Sequence, residues 1–424
     1  MHSIVSKASE SLKEPGPYRV MVVDDSAIIR GFLCRYLSED PDIEVVTTAN
    51  NGAVALRQIE KHDLEAVVLD IEMPEMDGMT ALPKLIEKVP DIKVVMASTL
   101  TRKNAEISLR ALQMGAVDYV PKPETARSVN ANIDFRRELV DKVKAWAGRR
   151  RSKRGEALPV SAKAATGPAT ARENVAFAKP EVKAKPTGFV AAPTRPKPTP
   201  VVTRAVKPEA AAAPQTGGTA FTLRKQMGIP KKPQALLVGS STGGPQALMK
   251  FFGQFKDKQP NVPILITQHM PATFTAILAD HLGQTTGWPS QEAVDGLELI
   301  GGNIYVAPGG KHMEVAEENG KKIVRLTDDP PENFCKPAVD PLFRSASKLY
   351  GGATLAVILT GMGHDGLKGA RDLVRAGGTL LAQDEASSVV WGMPGAVATA
   401  GLCTEVLSID DLGDATVKRL QGGH

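Results

Sequence analysis

The stretch YRVMVVDDSAIIRGFLCRYL (residues 18–37) decides how the N-terminal part of this chain is read. A short apolar run, Tyr18–Val23, stops on Asp24 and Asp25. Ile28, Ile29, Phe32, Leu33 and Leu37 then recur every three or four residues, the period of a helix with one buried face. A buried strand, an acidic turn and a helix open a parallel α/β sheet. Outward from this unit, Glu44–Ala49, Ala66–Leu69, Lys93–Ala97 and Tyr119–Val120 read as further strands with helical segments between them. Right-handed crossovers join such strands. A last stripe (Phe135, Leu139, Val143, Trp146) predicts a final helix ending at Gly148, before the basic run Arg149–Arg154.

Chemistry gathers at the expected strand ends. Asp24 and Asp25 follow the first strand, Asp70 ends the third and Lys122 follows the fifth. In an open α/β sheet these ends face the functional crevice. Clustered carboxylates suit a hard dication such as Mg²⁺. A carboxylate beside that metal is a nucleophile for phosphoryl transfer, with Lys122 placed to pair with the added charge. Ser98, after the fourth strand, would hydrogen-bond a phosphoryl oxygen. Isolated aspartates often only cap strands at a wet edge; matching ends for all these groups argue against that. The Asp-Asp pair, LDIEMPEMDG (69–78), the Ser98-Thr99 step and YVPKP (119–123) together resemble the receiver domain of bacterial response regulators. The resemblance implies a flavodoxin-like fold, Asp70 as phospho-acceptor and Asp24, Asp25 and Asp70 as Mg²⁺ ligands. It also implies Ser98 and Lys122 as the switch residues.

Residues 1–17 are taken as a tail, 18–150 as the first domain and 233–424 as the second. Between them, residues 151–232 are rich in Ala, Pro and Lys (KPEVKAKPTGFVAAPTRPKPTPVV). That composition buries too little apolar surface to offset chain entropy, so a disordered linker is expected. The net charge of +5 is assigned largely to this basic run and linker, which argues against a nucleic-acid groove. Aromatic residues make up 4%, too few for a stacking platform. The three cysteines form neither a disulfide framework nor a metal motif. No apolar run is long enough to span a bilayer and the N-terminus lacks a signal-peptide core, so a cytoplasmic protein without membrane insertion is expected.

Order returns at Gln234. The segment ALLVGSSTGGPQALMKFF (235–252) places G-x-S-x-G between a strand and a helix, the context of a nucleophile elbow centred on Ser241. It lacks the Lys-Ser/Thr pair of a phosphate-binding P-loop. Ser240 is the rival nucleophile. His269 follows the strand PILITQ, and Asp365 lies in TGMGHDG after TLAVIL. All three residues fall just past strand ends, and a triad is defined by geometry, not by order along the chain. Of the competing histidines, His281 and His312 are expected on the surface, and His364 is expected to point away from the site. The helix after the elbow would offer backbone N–H groups to an oxyanion.

GSSTGGPQAL, QHMP, YVAPGGKHM, CKPAVDPLF, TGMGHDG and WGMPGAV, in this order, resemble the catalytic domain of the chemotaxis protein-glutamate methylesterases. The resemblance implies a mostly parallel, doubly wound hydrolase-type domain that needs no cofactor for hydrolysis. It implies Ser241, His269 and Asp365 as the triad, with Thr242 and Met362 around the oxyanion. It implies methylated chemoreceptors as substrate, glutamine deamidation as a second activity, and a histidine kinase as phosphodonor. Asn333-Phe334 departs from the expected lead into CKPAVD and is not expected to touch the triad. A DNA-binding output domain is a different reading, but no helix-turn-helix pattern follows the linker. An inactive scaffold is disfavoured by the full Ser/His/Asp set.

Overall fold

The computed structural model describes residues 16–99, 101–122, 129–159, 221–225, 231–255 and 258–422, with side chains of 129–134 left out. Most of the expected tail and linker therefore lies outside the described residues.

The first sheet is parallel with order β2-β1-β3-β4-β5. Its strands are β1 (Tyr18–Val23), β2 (Ile43–Ala49), β3 (Ala66–Asp70), β4 (Lys93–Thr99) and β5 (Asp118–Lys122). The helices are α1 (Ala27–Ser38), α2 (Gly52–Gln58), α3 (Gly78–Lys88), α4 (Arg102–Gln113) and α5 (Val129–Arg154). Every residue of β3 is buried, as a strand covered on both faces requires. Side chains of Ser26, Asn51, Asp77 and Thr101 cap the four helices α1 to α4, fixing where each begins. The strand order reverses between β1 and β3, so a crevice opens between Asp24-Asp25 and Asp70.

The last helix does not stop at Gly148. A Cβ there would lie 2.9 Å from the Tyr18 hydroxyl, so the glycine serves close packing and not helix termination. The basic run is not solvated linker charge either. Arg150 and Arg154 pair with Asp91 at 3.1 and 2.6 Å, and Arg151 pairs with the buried Glu65.

The second sheet has seven parallel strands in the order β14-β13-β12-β6-β7-β9-β8. They are β6 (Ala235–Ser240), β7 (Ile264–Gln268), β8 (Ser290–Glu292), β9 (Ile304–Val306), β12 (Thr354–Ile358), β13 (Thr379–Gln383) and β14 (Glu405–Leu407). Around it run α6 (Gly244–Gly253), α7 (Phe274–Thr286), α8 (Val339–Tyr350), α9 (Leu367–Arg375), α10 (Met393–Thr399) and α11 (Ile409–Leu420). The order reverses at β6, with β12 on one side and β7 on the other. An antiparallel hairpin, β10 (His312–Glu318) with β11 (Lys321–Thr327), stands apart from this sheet. Its turn residues Asn319 and Gly320 have φ of 52° and 75°, the conformation two-residue hairpin turns favour.

The α4–β5 edge packs on helix α7 of the second domain, and α5 meets that domain's loops. Tyr119 stacks on Phe274 with centroids 4.4 Å apart, and Gln246 donates to the Ala116 carbonyl at 2.7 Å. Arg149 donates to the carbonyls of Ala386 and Ser387 at 3.0 and 3.2 Å and also to that of Ser388.

Candidate active site

At the first crevice, carboxylate oxygens of Asp24, Asp25 and Asp70 all lie within 4.8 Å of one another. Lys122 reaches across it, 2.6 Å from Asp24 and 2.7 Å from Asp70. Burial pushes the Asp70 carboxyl up, and the Lys122 ammonium opposes that rise. Three hard oxygen donors with a cation beside them fit Mg²⁺ and a transferred phosphoryl group. Ser98 sits near the end of β4, where its hydroxyl pairs with that of Ser108 at 2.9 Å.

The elbow begins where β6 ends. Ser240 is fully buried and hydrogen-bonds Gln268 Oε1 at 2.6 Å, so it is committed to the interior. Ser241 is partly exposed, its N–H donating to the Thr360 carbonyl at 3.1 Å. Gly361 is required beside it, because a Cβ there would lie 2.9 Å from Ser241 Cβ. Among the described residues no hydrogen bond engages the Thr242 or Met362 N–H groups, which leaves both available near Ser241.

The β7 end carries His269. Gln268 bonds the carbonyls of Ser241 (2.9 Å) and His269 (3.1 Å), and His269 N–H bonds the Ser240 carbonyl at 3.1 Å. The two strand ends are thereby tied together. His269 Nε2 lies 2.7 Å from Asp365 Oδ2. The same Asp365 oxygen accepts Val339 N–H at 2.6 Å, and its other oxygen accepts Asp340 N–H at 3.2 Å and Gly366 N–H at 2.9 Å. Asp365 therefore stands at the N-terminus of α8, where unsatisfied N–H groups and the helix dipole favour an anion. Burial works to raise its carboxyl, but His269 and these N–H donors bring it below the usual range.

His269 and Asp365 are thus brought together as the sequence suggests. Ser241 lies at the neighbouring strand end, yet among the described residues no hydrogen bond joins its Oγ to the imidazole. The second imidazole nitrogen, Nδ1, faces Cys335 Sγ at 3.3 Å. Burial alone would lower the His269 pKa, but Cys335 and Asp365 push it up to about 10. Both neighbours favour the charged imidazolium over the free base.

Two expectations fail here. His312 is buried, its Nδ1 accepting Ala338 N–H at 3.1 Å, and supports the segment leading to α8. Asn333 does touch the triad, donating to Asp365 Oδ1 at 2.9 Å. Sequence reasoning gave no role to Gln268 and Cys335, although they open the quoted motifs QHMP and CKPAVDPLF. His364 is exposed, as expected. The first domain also reaches this site. Asp118 Oδ2 accepts Gly243 N–H at 3.4 Å, two residues past Ser241, and the Arg137 guanidinium lies 4.8 Å from the Phe334 ring centre.

Known proteins share both halves. The response regulator receiver domain family matches residues 20–134, and the CheB methylesterase family matches residues 236–416. A protein-glutamate methylesterase/protein-glutamine glutaminase 1 of Rhodospirillum rubrum is 49% identical over 94% of this chain and 94% of its own length. A protein-glutamate methylesterase/protein-glutamine glutaminase of a group 2 operon in Rhodopseudomonas palustris is 47% identical over 96% of this chain and 95% of its own. The crystal structure of the Thermotoga maritima CheB methylesterase catalytic domain is 38% identical, covering 44% of this chain and 98% of its own, at a TM-score of 0.43. On the strength of relatives nearly half identical along almost their whole length, this chain belongs to the protein-glutamate methylesterase/protein-glutamine glutaminase family, with a receiver domain ahead of a CheB methylesterase domain.

Proposed function

We propose that Ser241, His269 and Asp365 hydrolyse glutamate methyl esters on chemoreceptors, and that phosphorylation of Asp70 releases this activity. The observation that carries the reading is the His269–Asp365 pair at 2.7 Å beside an elbow whose partly exposed serine is Ser241.

Since Nε2 faces Asp365, Nδ1 is the nitrogen that takes the Ser241 proton, after it parts from Cys335. Ser241 Oγ then bonds the ester carbonyl carbon. The Thr242 and Met362 N–H groups face the negative oxygen that develops. Collapse breaks the carbon–methoxy bond, and the imidazolium returns its proton to the leaving oxygen, giving methanol. Water, deprotonated by the same nitrogen, attacks the acyl-serine; the carbon–Oγ bond breaks, the imidazolium returns the proton to Ser241 Oγ, and a free glutamate remains. With ammonia leaving in place of methanol, the same steps deamidate glutamine.

Asp24, Asp25 and Asp70 would hold Mg²⁺, which when bound supplies positive charge for the phosphoryl oxygens. Lys122 is placed to pair with the phosphorylated Asp70. A histidine kinase of the same signalling system is the phosphodonor. Control follows from the packing of β5 and α5 on the hydrolase. Asp118 places a carboxylate on the Gly243 N–H, at the helix end that would serve an oxyanion. Phosphorylation need only shift an existing balance between this closed arrangement and an open one. No helix of the described residues is long and apolar enough to cross a membrane. We place the enzyme in the cytoplasm, acting on receptor helices there.

The test follows methanol release from methylated receptor by the full chain, with and without a small phosphodonor and Mg²⁺. Release that rises with phosphodonor and is abolished in Ser241→Ala supports the reading; release unaffected by that substitution overturns it.

A further inference from the structure

Residues Glu332–Cys335 form a closed two-residue turn between β11 and α8. Glu332 N–H donates to the Cys335 carbonyl at 3.2 Å, and Cys335 N–H donates to that of Glu332 at 2.8 Å. Both central residues have positive φ, 52° at Asn333 and 65° at Phe334. Asparagine tolerates this region, whereas phenylalanine does so at a cost of about 1 kcal/mol or more. Phe334 is 80% exposed, so apart from the Arg137 guanidinium 4.8 Å from its ring it gains little to offset that cost. Arg344 holds the turn from outside through two bonds to Glu332, at 2.9 and 2.6 Å.

The turn delivers Asn333 to two buried carboxylates. Its Nδ2 donates to Asp365 Oδ1 at 2.9 Å and to Asp340 Oδ2 at 3.0 Å. Asp340 has no exposed surface, and its other oxygen accepts Gly369 N–H at 2.7 Å. Two carboxylates this close and this dry repel each other, and an unpaired one is costly. An amide NH₂ has two hydrogens, one for each acid.

Resting on the proposed triad, we propose that Asn333 is a positioning residue: its carboxamide bridges Asp365 and Asp340, fixing the aspartate that orients His269. The strained turn is kept because it puts that amide between the acids. Asp340 is the partner that takes up a proton first, since burial and then the Asp365 charge raise its carboxyl, which leaves Asp365 ionised for the imidazole.

The test uses the full chain, activated with phosphodonor, and methylated receptor as substrate. Asn333→Ala, Asp340→Asn and the double variant are compared with wild type. Asn319→Ala, at an exposed hairpin position with φ of 52°, controls for loss of an asparagine from a left-handed turn. Thermal melts confirm that each variant is folded. Asn333→Ala is expected to lower kcat by about 10–100-fold with little change in KM, as misplacement of a catalytic group does. In the Asp340→Asn background the same substitution is expected to cost less, because one of the two charges is gone. A kcat within threefold of wild type, a loss matched by Asn319→Ala, or equal costs in the two backgrounds overturns the proposal. If Ser241→Ala retains activity, the triad reading itself fails, which is a separate outcome.

Discussion

Arg149→Ala should turn the enzyme on without phosphorylation. Arg149, on α5 of the receiver, donates to three consecutive carbonyls, those of Ala386, Ser387 and Ser388, on the hydrolase. A hydrogen bond from a charged donor contributes about 1.5–3 kcal/mol. Ala386 is exposed and its carbonyl regains water on opening, so the three bonds together are taken as about 2 kcal/mol. Losing them weakens the closed arrangement by about 30-fold, since 1.4 kcal/mol is a factor of about ten. The basal rate rises by up to that factor while the closed form still predominates. The phosphodonor-stimulated rate stays as in wild type, because the open enzyme is unchanged, and the stimulation ratio shrinks accordingly. Initial rates of methanol release with and without phosphodonor read both quantities. A basal rate within twofold of wild type, with the full stimulation ratio preserved, would refute the argument that this contact holds the receiver on the hydrolase.

Other outcomes follow from the same geometry. Cys335→Ala removes the thiol from His269 Nδ1 and one of the causes that raise the imidazole pKa. Catalysis needs the deprotonated ring, so the acid limb of the kcat profile should move to lower pH, with activity retained; loss of activity would instead make Cys335 a participant. Asp70→Asn should leave basal methanol release near wild type and abolish its response to phosphodonor. Persistent stimulation in that variant would mean that Asp70 is not the acceptor.

Much of the fold was legible because it is written in contiguous segments. The strands β3, β6 and β12 are buried throughout, with Asp70 ending the first and Ser241 following the second. The parallel arrangement then brings Ser241, His269 and Asp365 to one edge without further information. What the sequence hid depends on contacts between distant segments. Arg149–Arg154 reads as a solvated basic run because its partners, Glu65, Asp91 and the 386–388 carbonyls, belong to other elements. Gly148 looks like a helix stop because nothing local reveals the Tyr18 hydroxyl packed against it. The β10–β11 hairpin carries an Asn319-Gly320 turn signal outside the predicted strands. Asn333 leaves the faintest trace in the sequence. Its turn has phenylalanine where glycine would announce a positive φ, and the carboxylates it joins lie seven and 32 residues away.

The central claim is that Ser241 is the nucleophile of an esterase controlled by its own receiver. The most direct measurement traps the acyl-enzyme: the full chain, with phosphodonor and Mg²⁺, is mixed with methylated receptor, acid-quenched within one turnover and mapped by peptide mass spectrometry. The account predicts an adduct on the peptide containing Ser241, more abundant with phosphodonor than without it. An adduct on Cys335, the other potential nucleophile beside His269, or methanol release with no covalent adduct at any residue, would contradict it.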